Sequence, residues 1–331
     1  MKTLACVAVL GLAAVTAEGR AEAPTSWTLS SVAPEGSSID GVLRSFVKGV
    51  EKASKGQVRG RVRLGGVLGD EISTLDLLRQ NKVQVWAGSL GAAAARFGAL
   101  GALELPYLFA DLQDMQRIER MVVAEVSRLL EPEGITTVGL AFVGWRGVSS
   151  REKPIRRPED LRGLRVRSQH TPMHLAMWKR LGTTPQVMEL PDLGLAFSSK
   201  LIDVFDVPPA YIFATSLGGR VKHYTRTEHM MQLGLVLASK RAVDAQPALA
   251  EFVRRTGGEM SRTAGAASAR EETDLLRQLG AAGTAVISLD AGERKAWRDA
   301  LAPLGGEVRV LAGPSGEALL GTVQAARKRA K

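Results

Sequence analysis

The stretch GWRGVSSREKPIRRPEDLRGLRVRSQ, residues 144–169, decides the fold together with TPMHLAMWKRLG (171–182) and KLIDVFDVPPAYI (200–212). Pro158 suits the first position of a helix, and Glu159 and Asp160 suit its positive end, so a short helix is expected there. Gly163 ends it. Leu164-Arg165-Val166-Arg167 then alternates as a strand does, throwing both arginines to one face. Leu201 to Val207 reads as a second strand, stopped by Pro208-Pro209. Two strand ends with polar or charged groups at their carboxyl side mark the usual place where an α/β sheet holds a ligand.

Upstream, Ser26 to Ser30 alternates as a first strand, and Ser37 or Ser38 can cap a helix from about Ile39 to Ala53. Val58 to Leu64 forms a half-exposed strand, and Asp70 caps a helix bearing Ile72, Leu75 and Leu78. Val83 to Trp86 is a short strand entering the small-residue segment Gly88 to Ala95, which fits a tight loop or a backbone-lined ligand wall. Asp111 opens a helix reaching Leu130, and Thr136 to Ala141 is a further strand. Downstream, His229 to Ala238 reads as a strand returning to the first domain. Pro247 to Leu279 is a long helical run with a break or kink expected at Gly257-Gly258. Val286 to Leu289, a helix with Trp297, Val308 to Leu311 and a last amphipathic helix complete the chain. With no Pro/Ser linker and no repeat, the expected class is α/β with discontinuous domains.

The chain has 331 residues, 45% hydrophobic and 24% charged, the make-up of a globular protein. Lys and Arg outnumber Asp and Glu by 44 to 34, a balance of +10. The basic residues are scattered, aromatic residues make up only 5%, and no zinc or RNA-binding motif occurs. Nucleic acid is therefore not an expected partner, and the charge leaves an anionic membrane surface or acidic solutes. Met1-Lys2, the apolar run Leu4 to Ala17 and the small-x-small sites after it form a secretory signal peptide over residues 1–23. Cys6, the one cysteine, lies inside it, so a mature periplasmic chain would have no disulfide and no thiol chemistry.

Catalytic signatures are thin. His170 and His174 have the helical spacing of a zinc pair, but no HExxH occurs, Pro172 intervenes, and no carboxylate has ligand spacing. No metal and no cofactor are expected. No G-x-S-x-G elbow or phosphate loop is present. Asp203 and Asp206 would point to opposite faces of a strand, so only one can face a cleft. Arg167 offers a planar fork that fits both oxygens of a carboxylate. On spacing alone, a salt bridge within its own domain is the readier account of it.

GLRVR (163–167), the helix ending in Leu181-Gly182 and the segment Asp203 to Pro208 resemble the solute-binding proteins of TRAP transporters, the DctP-type family. GGVLGDE (65–71), ELPYLF (104–109) and KHYTRTEH (222–229) match it too, in order and spacing. In that family an arginine ending the strand clamps the solute carboxylate, and Arg167 stands there; Arg146 matches a second arginine upstream. The resemblance implies a two-domain periplasmic-binding-protein-like clamp with a long helix spanning both domains. It implies domains of 24–144 with 230–270 and of 145–229 with 271–331. It also implies a monomeric receptor, not an enzyme, which hands an organic acid to membrane permease subunits. Arg167, Arg146, Trp86 and Gln169 are the expected polar and aromatic ligand contacts. Leu190, Asp206, Val207 and Tyr211 are expected to complete the pocket. Val207 replaces the asparagine usual in the family, and Lys200 and Val204 replace glycines. A more apolar pocket and an amphipathic monocarboxylate follow as expectations. A neutral or lipid-like ligand, or an extracytoplasmic enzyme or sensor on the same scaffold, are the alternatives.

Overall fold

The structure is a computed structural model and describes residues 24–329; the expected signal peptide and Cys6 lie outside the described residues. Its strands are β1 Thr25–Ser30, β2 Val58–Arg63, β3 Val85–Ser89, β4 Ile135–Trp145, β5 Gly147–Ser150 and β6 Arg165–Ser168. They continue as β7 Thr184–Val187, β8 Val204–Val207, β9 His223–Arg226, β10 Met231–Ser239 and β11 Ala285–Ser288. Two sheets result, ordered β2-β1-β3-β10-β4 and β11-β9-β5-β8-β6-β7. The first sheet is parallel over β2-β1-β3 and antiparallel where β10 pairs with β3 and β4; the second is parallel over β8-β6-β7 and β11-β9 and antiparallel where β5 joins β8 and β9.

The chain crosses between the sheets first at Trp145–Gly147 and again between β9 and β10. The two crossings are tied together. The Arg146 amide donates to the Met230 carbonyl at 3.0 Å, and Trp145 pairs with Met231. The third passage is the helix Pro247–Ala281, which packs on β4 and on the helix Ser38–Ala53, then reaches the helix Pro209–Ala214 and β11. It is the long helix expected to span both units. The expected break at Gly257-Gly258 is absent. Gly257 instead lets the helix lie on the β4 backbone, where a Cβ would meet the Val138 carbonyl at 2.0 Å.

Apolar faces account for the layering. One core lies between the first sheet and the helices Ser38–Ala53 and Pro247–Ala281, built on Trp27, Leu43, Phe46 and Val253. Another lies under the second sheet, on Phe197, Phe205, Ile212 and Leu279. The largest runs from Leu140 and Phe142 of the first sheet through Trp178 and Trp297 of the second unit. The last helix, Val308–Arg329, joins this core through Leu319, Leu320 and Val323. Residues 271–331 are expected with the second unit, but this helix packs against Leu112–Leu130 and the turn Gly98–Glu104 of the first, where Arg327 pairs with Asp114 at 2.5 Å. Val308–Leu311 forms its first turn.

Candidate functional site

The carboxyl ends of β3, β6, β7 and β8 converge on one cleft between the two units. Alternation along β6 does what the sequence demands. Val166 is fully buried, and Arg165 turns outward to pair with Asp203 at 2.6 Å. Arg167 turns into the cleft, only 4% exposed. Its Nε donates to the Met188 carbonyl at 3.1 Å, and its Nη1 and Nη2 make no hydrogen bond among the described residues. Burial, with repulsion from Arg146, lowers its pKa to about 10, which leaves it charged at neutral pH.

Arg146 sits on the first crossing, buried, and its nitrogens are taken. Nε meets Asp206 Oδ2 at 2.6 Å, Nη2 donates to the Asp206 carbonyl at 2.6 Å, and Nη1 donates to Gln232. Asp206 also accepts from His174 Nε2 at 3.3 Å and His229 Nε2 at 3.2 Å. Burial works against its charge, yet Arg146 and the histidines outweigh it and hold the carboxyl well below the usual range. His174 Nδ1 accepts the Gln169 amide at 3.1 Å, and burial pushes its pKa down to about 4, so the ring is neutral. Arg146 occupies the point where these side chains converge, so the cluster already holds its cation.

The opposite wall comes from the first unit. Asp70 accepts from the Ser73 amide at 2.7 Å and starts the helix Glu71–Arg79. This fixes Glu71, whose carboxyl accepts the Ser89 amide at 2.6 Å and the Ser89 hydroxyl at 2.5 Å. Burial pushes the Glu71 pKa up. Ser89 caps the helix Leu90–Arg96, so the segment expected as loop or ligand wall is a helix whose Gly91 and Ala92 line the cleft. Gly91 leaves room for Gln169: a Cβ there would meet Gln169 Nε2 at 2.1 Å and displace the end of that side chain.

Of the residues expected at the site, Arg167, Arg146, Gln169, Leu190, Val207 and Tyr211 line this cleft. Asp206 stands behind Arg146, fully buried. Trp86 does not reach the cleft. It is 1% exposed, with its Nε1 donating to the Glu71 carbonyl and to Thr74 Oγ1, both at 3.1 Å. Glu71, Ser89, Gln232 and Glu189 line the cleft without having been read from the sequence as site residues, and Glu189 pairs there with His170 at 3.3 Å. Asp70 was legible as a cap, and a cap puts the next residue on the first helical turn. That signal could have found Glu71.

The cleft has two chambers. The inner one holds about 460 Å³, its open part included, around Arg167. The outer one, about 640 Å³ on the same measure, is lined chiefly by small apolar residues, among them Val32, Ala33, Ile39, Ala87, Val143 and Ala214. Glu71 and Tyr211 line both.

Comparison with known proteins agrees with this architecture. The family described as bacterial extracellular solute-binding protein, family 7, matches residues 29–309. The C4-dicarboxylate-binding periplasmic protein DctP of Rhodobacter capsulatus is 29% identical over 291 residues, 84% of either chain. The 2,3-diketo-L-gulonate-binding periplasmic protein YiaO of Escherichia coli is 24% identical over 78% of either chain. Among solved structures, a TRAP periplasmic solute-binding protein of Sulfitobacter with bound β-D-galacturonate has a TM-score of 0.83 at 22% identity, covering 91% of this chain and 100% of that one. A Bordetella pertussis extracytoplasmic solute receptor binding pyroglutamic acid has a TM-score of 0.82 at 21% identity, covering 91% of this chain and 99% of that one. The chain belongs to the bacterial extracellular solute-binding protein family 7, the periplasmic solute receptors of TRAP transporters.

Proposed function

We propose that this receptor binds an amphipathic monocarboxylate, with its carboxylate on Arg167 and its apolar remainder passing Tyr211 into the outer chamber. The observation that carries the reading is the unequal state of the two arginines. Arg146 is spent on Asp206 and Gln232, whereas the two terminal nitrogens of Arg167 have no hydrogen-bond partner among the described residues and are open to a ligand. One free fork matches one carboxylate. The chiefly apolar lining of the outer chamber suits an apolar remainder better than further polar groups. The acids in the names of its relatives agree with an acid as ligand. The protein would work as a monomer and release the solute to the TRAP permease.

An enzyme on this scaffold is the reading to set against it, because Ser168, His174 and Asp206 form a row. Ser168 Oγ lies 3.1 Å from His174 Nδ1, and His174 Nε2 faces Asp206. The row is sealed, however. Ser168 and His174 are fully buried, and Nδ1 already accepts the Gln169 amide, so no base is left to activate the hydroxyl.

Calorimetric titration of the solute recovered from the native protein tests the anchor. A hydrogen bond to a charged group contributes about 1.5–3 kcal/mol, and a two-pronged pair in a dry cleft belongs at the upper end. Arg167→Ala should weaken binding by roughly two orders of magnitude, at ~1.4 kcal/mol per tenfold. Arg167→Lys should restore part of it, since the ammonium keeps the charge and loses the fork. An Arg167→Ala protein that melts and binds like the parent removes the anchor.

A further inference from the structure

At the crossings, a further pocket of about 140 Å³ shares no lining residue with the cleft. That is close to the ~150 Å³ of a cavity known to take a benzene molecule. Tyr107 and Phe109 of the first unit form one wall. Trp145 and Glu228 enter from the two crossings, and Arg294 and Arg298 from the helix Ala291–Leu301.

Its charges do not balance. Glu228 is shared between Arg226 at 2.7 Å and Arg294 at 3.0 Å. Arg298 has no carboxylate within ion-pair distance among the described residues, and its guanidinium lies over the Tyr107 ring, 5.2 Å from the centroid. Among the residues that line the cavity, two arginines, Arg294 and Arg298, meet one carboxylate, Glu228. The backbone there is also unusual. Tyr107 and Glu228 both take left-handed φ angles, 56° and 48°, although neither is glycine. Such strain persists where surrounding structure enforces it, and it gathers at ligand sites.

We propose that this cavity is a second anion site, taking a small aromatic carboxylate independently of the interdomain cleft. The carboxylate faces Arg298 and Arg294, and the ring lies against Tyr107 and Trp145. An occupant touches the first unit, both crossings and a helix of the second unit at once.

Benzoate is the probe, titrated calorimetrically into the whole protein, Arg298→Ala and Arg167→Ala. Saturable binding is expected in the parent. It should survive within about twofold in Arg167→Ala and weaken at least roughly tenfold in Arg298→Ala, the loss of one charged contact. Arg298 is exposed, so its variant should melt like the parent. No saturable binding to the parent overturns the proposal. So does benzoate binding that is lost in Arg167→Ala and kept in Arg298→Ala, which places the probe in the cleft. Equal loss in both variants overturns the independence of the two sites.

Discussion

A guanidinium taken out of water must find acceptors, and Arg146 finds three within its own protein. Asp206 supplies two of them, with His174 and His229 completing the shell. The histidine has a measurable consequence. His174 is held neutral in the fold with its pKa pushed down to about 4, while an unfolded chain titrates near 6.5. Between those values the unfolded state takes up the proton and the native state does not, so acidification costs stability in that window. In His174→Gln this contribution is missing. The stability advantage of the parent over the variant should shrink by on the order of 3 kcal/mol between pH 7 and pH 4, at ~1.4 kcal/mol per pKa unit. Urea unfolding of both proteins across that range checks it, and a pH-independent difference contradicts it. Titrating groups that His174 does not touch are common to both chains and cancel; Asp206, which accepts from His174, is the one coupled to it. At this scale the sequence was informative about Arg167, because alternation in GLRVR leaves one direction for its side chain. It said little about Arg146, whose capture by Asp206 depends on two strands 60 residues apart.

Elements were legible where one face is polar and obscure where both are buried. β6 has an exposed arginine to set its phase, whereas Val85, Trp86 and Ala87 of β3 are all buried. With no alternation, the direction of Trp86 could not be read, and it points into the core of the first unit rather than the cleft. Gly257-Gly258 misled for a related reason. Glycine lowers helix propensity, but tertiary packing overrides it when the missing Cβ permits close approach to a strand. The two glycines therefore differ. Gly257→Ala must push backbone away from β4 and should cost about 1–3 kcal/mol as an overpacked site. Gly258 is open, with its nearest neighbour the flexible Arg262 at 3.6 Å. Gly258→Ala should be neutral or stabilise by up to roughly 1 kcal/mol through helix propensity. Chemical denaturation of the pair decides it; equal effects would mean that the close approach to Val138 is not what sets the first position apart.

For the whole molecule, the order of α/β elements was enough to expect two discontinuous units. The return of the last helix to the first unit was not readable, since an amphipathic helix does not say which apolar face it will cover. The cleft draws Arg167, Gln169, Val207 and Tyr211 from one unit and Glu71, Ser89 and Gly91 from the other. A ligand touching both walls stabilises the closed arrangement over the open one. Small-angle scattering should accordingly show compaction when solute is added, and an unchanged envelope with ligand demonstrably bound would count against a clamp. The identity of that solute bears on the account most directly. Mass spectrometry of small molecules released from natively purified protein should find an acid with one carboxylate and an apolar remainder. Recovery of a neutral molecule, or of a dicarboxylate, as the bound species would contradict the assignment of Arg167 as the single free anchor.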